Sequence, residues 1–385
     1  MTRQSLIVSS SVLLAILAGT ANAQFLVQNR LAITQIETVD ATGAIVTASN
    51  AASRVRVREF DRSGTASGTE ILVNSGAAAG SRLTNSGTAS SEGAITRSAG
   101  SGRFLSFTGY DAAATTAGVV ATLNNAADGS GPTRRVVGQI DTWTGSVSYA
   151  NYGQSYSGNN IRSAVFDEST NVNFTAGTAT TTGGVRSGAA AGDTSTTLLS
   201  GTLTNTRNVN LFNNQVFASS SSGAFQGVSL ISGGTATLLP GFPTASGPSA
   251  YDFFFASDTV LYVADDRVTI SGGLQKWTRS GGSANDVITG TWAISNTFNL
   301  ANIAGGGFAG LRGLAGEVVG NVATLFAIST DNRLVTITDT SNAAAFSVLA
   351  TAPTSTNWRG VEIIPTPGTA ALLGLGGLLV ARRRR

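Results

Sequence analysis

The sequence contains neither cysteine nor histidine among its 385 residues. Without cysteine the chain has no disulfides, so burial of apolar surface and backbone hydrogen bonds must hold it together. Without histidine, serine–histidine triads, cysteine–histidine dyads and histidine-based metal sites are excluded. The enzyme classes that stay open use carboxylates, serine with lysine, or calcium or magnesium bound by carboxylates.

Charge is also scarce. Charged residues make up 12% of the chain and hydrophobic ones 42%, and there are 47 glycines. Disordered chains combine low hydrophobicity with high charge, and this chain has neither property. Short β-branched and aromatic runs alternate with turns rich in glycine, serine and asparagine, which is typical of strands. The composition therefore predicts a folded, all-β protein.

Residues 1–23 have the three parts of a secretory signal peptide. Arg3 gives a positive start, residues 6–18 are apolar apart from serines, and Ala21-Asn22-Ala23 is a small-x-small cleavage site. An ordinary N-terminal helix would not need these parts in this order. We therefore predict export, with signal peptidase cutting between Ala23 and Gln24.

Residues 365–385 have the order of a second sorting signal. Pro365-Thr366-Pro367 is followed by the small and apolar residues 368–381 and by four arginines. This order resembles the PEP-CTERM sorting signal of Gram-negative bacteria, with Thr366 where that family usually has glutamate. The resemblance implies transient contact with the inner membrane, processing by an exosortase-type enzyme, and a cell-surface or extracellular destination. The alternative is a permanent anchor, although a spanning helix needs about 20 apolar residues.

The two end segments carry five basic residues, Arg3 and residues 382–385, and no acidic ones. The whole chain has 24 basic and 21 acidic residues, so the part between the signals has 19 and 21, a net charge of −2. Nucleic-acid-binding domains usually have a basic surface. We therefore predict no nucleic-acid partner.

Residues 24–364 contain a weak internal repeat. Each unit has a polar or arginine start, a short strand, a turn, and a second strand of apolar and aromatic residues; the starts lie at Arg97, Arg162, Arg207, Tyr251, Arg312 and Arg359. The five intervals average about 52 residues. Units of about 40 to 50 residues with three or four strands are typical of β-propellers.

We therefore predict an all-β fold, a β-propeller of six blades, with seven as an alternative because the intervals vary. A jelly roll and a right-handed β-helix are the other folds considered. The last start has no further strands after it, whereas the chain begins with strand-like segments at residues 25–36 and 54–60. The C-terminal strand is thus predicted to close the N-terminal blade. Motifs at residues 262–267, 273–278 and 311–316 resemble exported bacterial propeller-like proteins without an assigned activity.

Carboxylates are the candidates for chemistry. Asp265 and Asp266 follow an apolar strand and are candidate calcium ligands, with a solvated turn in which Arg267 pairs with one aspartate as the alternative. No other cofactor is predicted. Glycoside hydrolysis needs two facing carboxylates and no histidine; the acidic residues near repeat starts are Asp111, Asp167, Asp252 and Glu317.

Two further groups are candidates for ligand binding. The recurrent arginines 97, 162, 207, 312 and 359 either bind an acidic sugar in a channel or tie blades together. The aromatic cluster is a sugar-stacking surface if exposed, or part of an edge strand; it consists of Trp143, Tyr149, Tyr152 and Tyr156. We predict an exported structural or binding protein with extracellular polysaccharide as its partner. A carbohydrate-active hydrolase is the alternative.

The sorting predictions are tested by intact-mass spectrometry of the protein from the medium, outer surface and membranes of its own cells. In the surface or medium fraction we expect a species that starts at Gln24 and ends within residues 365–368, because both signals would have been removed. A full-length C-terminus found only in membranes would contradict this and indicate a permanent anchor.

Overall fold

The computed structural model describes residues 26–76, 78–124, 133–203, 205–303 and 305–365. In this part of the chain the secondary structure is strand and turn, apart from a 3-10 turn at Val119–Ala121. No helix in these ranges is both long and apolar enough to cross a bilayer. The prediction of an all-β protein is confirmed.

The strands form where apolar and polar residues alternate. In the segment Ala52–Phe60, the fully buried Val55 and Val57 alternate with three partly exposed arginines, so that one face points into the core. The strands are numbered in chain order, and the first thirteen are β1 (Leu31–Glu37), β2 (Ala52–Phe60), β3 (Ala66–Leu72), β4 (Thr84–Ser86), β5 (Ile95–Arg97), β6 (Phe104–Tyr110), β7 (Arg135–Asp141), β8 (Val147–Gly153), β9 (Ile161–Asp167), β10 (Val172–Gly177), β11 (Gly184–Ala189), β12 (Gly192–Ser195) and β13 (Thr197–Ser200).

The second half of the chain follows the same pattern of strand, short turn and strand. Its strands are β14 (Thr206–Phe212), β15 (Gln215–Ser222), β16 (Phe225–Ser232), β17 (Thr235–Leu238), β18 (Ala250–Phe255), β19 (Val260–Asp265), β20 (Gly273–Ser280), β21 (Thr291–Phe298), β22 (Leu300–Ala301), β23 (Phe308–Ala309), β24 (Leu311–Val319), β25 (Val322–Ser329), β26 (Arg333–Thr338), β27 (Ser347–Thr351) and β28 (Thr356–Ile363).

These strands build six four-stranded units, which we call blades 1 to 6. Blade 1 consists of β28, β1, β2 and β3, blade 2 of β5 to β8, and blade 3 of β9, β10, β11 and β13. Blades 4, 5 and 6 consist of β14 to β17, β18 to β21 and β24 to β27. The short strand β4 pairs with both β2 and β6 and joins blades 1 and 2 into one sheet. The described residues thus form six blades, and the alternative of seven is wrong.

The last strand closes the first blade. Strand β28 lies antiparallel to β1, with Leu31 opposite Ile363. The indole Nε1 of Trp358 donates a hydrogen bond to Gln35 Oε1 at 3.0 Å, and its ring packs edge-on against Phe60 with 5.3 Å between centroids. The predicted pairing of the N- and C-terminal strands is confirmed.

One strand of each blade faces a central channel. These inner strands are β28, β5, β9, β14, β18 and β24, each of which contacts the next, and β24 contacts β28 again. The order is that of a closed ring, the arrangement that defines a propeller.

The core is divided among the interfaces between blades. Phe217 of blade 4 shares a buried cluster with Phe253 of blade 5, and Phe326 of blade 6 shares one with Leu31 of blade 1. Each of the six interfaces has a cluster of this kind. The chain therefore buries its apolar surface by stacking blades, as repeat architectures do.

Two glycines allow the inner strands to approach closely. A Cβ atom at Gly360 would lie 2.6 Å from the backbone nitrogen of Ile95, and one at Gly313 would lie 3.0 Å from the carbonyl oxygen of Arg359. Any larger residue would push β5, β28 and β24 apart. Glycine is therefore needed here for the approach of one backbone to another, and each of these glycines follows a channel arginine.

The closure of blade 1 is tested by Trp358→Ala. We expect the free energy of unfolding to fall by about 3–5 kcal/mol, because the change leaves a cavity between blades 6 and 1. Urea denaturation measures it. Trp143→Ala, the same change at a partly exposed tryptophan, is the control and should cost about 1 kcal/mol or less. Equal losses in the two variants would contradict the assigned closure.

Candidate functional site

The central channel contains two cavities of different character. The narrow one lies near the N-terminal ends of the inner strands and is lined by Arg207, Tyr251, Arg312, Arg359 and Glu92, among others. The wide one lies near the C-terminal ends of the same strands. We call the first the arginine cavity and the second the channel mouth.

The arginine cavity is lined by part of a belt of four arginines. The arginine belt comprises Arg162, Arg207, Arg312 and Arg359, which occupy corresponding positions on β9, β14, β24 and β28. The guanidinium groups of Arg207 and Arg312 lie 4.7 Å and 5.5 Å from the centre of the Tyr251 ring. Four strands of the ring thus direct cationic side chains at one level of the channel.

Few acceptors meet these guanidinium groups. Arg162 Nη1 donates to Asn205 Oδ1 at 2.6 Å, and Arg359 Nη2 donates to a backbone carbonyl at 3.2 Å. Arg207 Nη1 donates to the Tyr251 hydroxyl at 3.2 Å. Burial and the neighbouring arginines lower the pKa of Arg162 and of Arg359 to about 10. The belt therefore has a surplus of positive charge in a place with little water.

Glu92 is the buried carboxylate at this level. It accepts hydrogen bonds from the Tyr110 hydroxyl, from Asn160 Nδ2 at 2.5 Å and from the Ser86 backbone at 2.9 Å. Burial raises the pKa of Glu92, although these donors oppose the effect. Its oxygens are already engaged by blade 2 and blade 3, so Glu92 is not a free counter-ion for the belt.

The channel mouth is a large open cavity of about 760 Å³. Its apolar wall comes from Phe212 of β14 and the three phenylalanines of β18. Phe212 and Phe255 are stacked with 4.5 Å between ring centres, whereas Phe254 is only half-buried. The aromatic wall therefore combines a rigid, packed base with one accessible ring.

Polar groups also line this cavity. Arg97 and Ser98 come from the end of β5, Ser101 from the loop after it, Asn210 from β14 and Glu362 from β28. Burial raises the pKa of Glu362, while the nearby Arg97 acts in the opposite direction. A third cavity of about 350 Å³ shares Arg97 and Phe254 with the mouth.

Asp252 lies between the two cavities and joins three blades. It accepts hydrogen bonds from Asn208 of β14 and from the backbone of Leu314 at 2.9 Å. Burial raises the pKa of Asp252 to about 7, with Glu362 contributing in the same direction. Asp252 thus connects three blades through buried hydrogen bonds, and its charge state changes with pH in the neutral range.

Four of the five recurrent arginines lie at one level of the channel. Arg97 is exposed at the end of β5 and lines the channel mouth instead. At the level of the arginine belt, blade 2 presents Glu92 instead. The reason is that β5 spans only Ile95–Arg97, and the matching stretch of chain precedes the strand.

The predicted calcium ligands face different partners. Asp265 is buried and forms an ion pair with Arg267 at 2.5 Å, as the alternative reading of this turn proposed. Asp266 lies 3.5 Å from Arg312. Among the described residues, no group of three or more acidic side chains forms a potential metal site.

The aromatic cluster is mostly interior. Tyr152 and Tyr156 are fully buried; the Tyr152 hydroxyl donates to the Ala189 carbonyl at 2.7 Å. The prediction of an exposed stacking surface at these two residues is therefore wrong, because both side chains pack against blade 3. Tyr149 is half-buried, and Trp143 lies beside Arg103, whose guanidinium carbon is 4.5 Å from the ring centre.

The remaining predicted residues are spread over the molecule. Asp111 pairs with Arg82, Asp167 accepts turn hydrogen bonds from Ser169, and Glu317 pairs with an arginine of blade 1. They do not share one cavity wall. Pro365 is buried in the wall of the channel mouth; the other processing residues, Ala23, Gln24, Thr366 and Pro367, lie outside the described residues.

Sequence reasoning missed three important channel residues, Glu92, Phe254 and Glu362. Glu362 follows the Arg359-Gly360 pair at the same distance as Ala315 follows Arg312-Gly313. Phe254 likewise follows Tyr251 by three residues, so an alignment of the inner strands on their repeat starts would have placed Glu362 and Phe254 at the level of the channel mouth.

Comparison with known proteins does not assign a family. No protein-family model matches the chain, and no curated protein matches it either. Among solved structures, the chain is similar to the periplasmic gluconolactonase of Pseudomonas aeruginosa, with 15% identity, a TM-score of 0.45 and 82% of each chain covered. It is also similar to a GH74 enzyme of Niastella koreensis, with 11% identity and a TM-score of 0.44, over 81% of this chain and 46% of that one. Similarities at this level carry no argument about activity, and the fold assignment rests on the strand pairing.

The raised pKa of Asp252 predicts a pH dependence of stability. A protonated Asp252 is favoured in the folded state, so its contribution is complete below its ordinary value of 3.8 and is lost as the pH rises through about 7. We expect Asp252→Asn to lower stability overall, because the NH₂ group of the new asparagine would face a hydrogen-bond donor where a carboxylate oxygen now accepts. The variant should also show a smaller fall in stability between these two pH values. Urea denaturation at several pH values measures both effects.

Asp167→Asn is the control for this pH dependence. At Asp167 partial burial is outweighed by hydrogen bonds from Ser169 and Thr170, so its pKa is lowered. Asp167 therefore contributes stability above its ordinary value of 3.8 and loses it only as the pH falls below that value, so Asp167→Asn should leave the fall in stability between pH 3.8 and about 7 unchanged. If the stability of Asp252→Asn fell as steeply as that of the wild type between pH 3.8 and about 7, the assignment of this pH dependence to Asp252 would be contradicted.

Proposed function

We propose that the protein is an exported propeller of the cell surface or extracellular matrix that binds an acidic polysaccharide in its channel mouth. The observation that carries this proposal is the open cavity of about 760 Å³ with Arg97 on one side and phenylalanines on the other. Its size is within the range of ligand sites, and its wall has the usual mixture of apolar surface and a few polar groups.

The chemistry of the wall suits a sugar that carries a carboxylate. The exposed Arg97 offers a planar fork of donors that matches a carboxylate. The half-buried Phe254 offers a flat apolar face for a sugar ring, and Ser98, Ser101 and Asn210 offer hydrogen bonds to hydroxyl groups. The positive arginine belt lies further along the same channel and favours anionic over neutral ligands.

The sorting predictions are consistent with the position of the closing strand. Strand β28 ends at Ile363, so processing within residues 365–368 would leave the whole strand in the mature chain. Removal of residues 1–23 likewise leaves every described strand in place. Both predicted cleavages therefore spare the ring, and we propose signal peptidase and an exosortase-type enzyme as processing partners.

A glycoside hydrolase is the second candidate function, because Glu362 lines the mouth and its pKa is raised by burial, as a general acid requires. Glycoside hydrolysis usually needs two carboxylates at the reacting bond, and Asp252, which interacts electrostatically with Glu362, is occupied by three donors. Binding is therefore favoured. Release of reducing ends from a uronate oligomer, abolished in Glu362→Gln, would instead establish the hydrolase.

The binding proposal is tested by Arg97→Gln. Isothermal titration with a tetramer of galacturonate should show an affinity at least about tenfold below that of the wild type, because a charge-assisted hydrogen bond is lost. Arg58→Gln, the same charge change on the partly exposed outer part of blade 1, should bind as the wild type does. No binding by the wild type, or equal losses in both variants, would contradict the proposal.

A further inference from the structure

The arginine belt has unused hydrogen-bond donors. The Nε atoms of all four belt arginines are buried and have no hydrogen-bond partner among the described residues. Arg162 and Arg359 themselves are more than nine-tenths buried, at 6% and 8% exposed. Buried donors normally find a partner. Arg312 Nε faces Asp266 Oδ2 at 3.5 Å, and the Nε atoms of Arg162, Arg207 and Arg359 are available to a further acceptor.

The acidic groups nearby do not supply that partner. Of the four belt arginines, only Arg312 forms an ion pair within the described part of the chain, with Asp266. Glu92 reaches the same cavity but accepts hydrogen bonds from Tyr110, Asn160 and Ser86. Four cations thus face at most two carboxylates. Buried charges need a counter-charge, because desolvation otherwise costs several kcal/mol per ion.

The size of the arginine cavity limits what the counter-charge is. The cavity is small, with a volume of about 10 Å³ against about 760 Å³ for the channel mouth. A volume this small favours a compact anion over a ligand with many heavy atoms. Gly313 and Gly360 already bring the inner strands to their closest approach. A single water molecule fits but does not neutralise the belt.

We propose that the arginine cavity binds one monatomic anion of the size of chloride. The anion would lie among Arg207, Arg312 and Arg359, which come from blades 4, 6 and 1. It would accept hydrogen bonds from the vacant donors and reduce the repulsion between neighbouring guanidinium groups. Because these arginines belong to three blades, the anion stabilises the closed ring. This proposal does not depend on glycan binding at the channel mouth.

The proposal is tested by the thermal stability of the full chain at constant ionic strength. Chloride is exchanged stepwise for methanesulfonate, a larger monovalent anion, and the melting temperature is recorded. A ligand that binds only the folded state raises the melting temperature with its concentration, so we expect a rise of several degrees with chloride. A melting temperature independent of the anion, or a larger rise with phosphate than with chloride, would overturn the proposal.

The location is tested by Arg207→Gln. Arg207 is only partly buried and its hydrogen bonds are long, at 3.2 Å and 3.4 Å, so this variant is the belt change that disturbs packing least. It should lose at least half of the chloride-dependent rise, whereas Arg58→Gln should keep all of it. A full chloride response in Arg207→Gln would overturn the proposed location.

A second measurement does not require any variant to fold. Crystals of the wild-type protein grown in bromide should give an anomalous scattering peak between Arg207, Arg312 and Arg359, because bromide replaces chloride at a site of this size. Bromide peaks confined to the protein surface would overturn the proposal.

Discussion

The antiparallel pairing of β28 with β1 is the contact on which the rest of the structure depends. It places Trp358 between blades 6 and 1 and converts a row of blades into a ring. Only in a closed ring do six inner strands face one channel, and only then do arginines that are distant in sequence meet at one level. The channel mouth and the arginine cavity are both products of this closure, since each is lined by residues of β28.

The channel is chemically asymmetric along its axis. At the narrow end, glycines on β24 and β28 allow close approach of the strands and the belt concentrates positive charge. At the wide end, phenylalanines on β14 and β18 leave an open cavity with Arg97 at its edge. Asp252 separates the two ends and binds neighbouring strands through its hydrogen bonds. A structural anion at one end and a ligand at the other is the arrangement that this asymmetry favours.

Sequence periodicity predicted the blades and their closure because both depend on local patterns: alternation within strands, turns between them, and an isolated strand at the end. The level of each side chain in the channel was harder to predict. Thr96-Arg97-Ser98-Ala99 and Ile161-Arg162-Ser163-Ala164 are similar in sequence, yet only the second arginine joins the belt. The burial of Tyr152 and Tyr156 depends on the packing of their side chains against blade 3, which no local pattern contains. The raised pKa of Asp252 likewise arises from residues far away in the chain.

The most direct test of the account is hydrogen exchange of the protein with and without an excess of galacturonate tetramer. The account predicts slower exchange confined to the backbone of the channel mouth, within residues 97–102, 210–212 and 253–255, because these segments line the proposed site. Unchanged exchange throughout the chain, or slower exchange only at outer strands such as β3 and β17, would show that the channel is not the binding site.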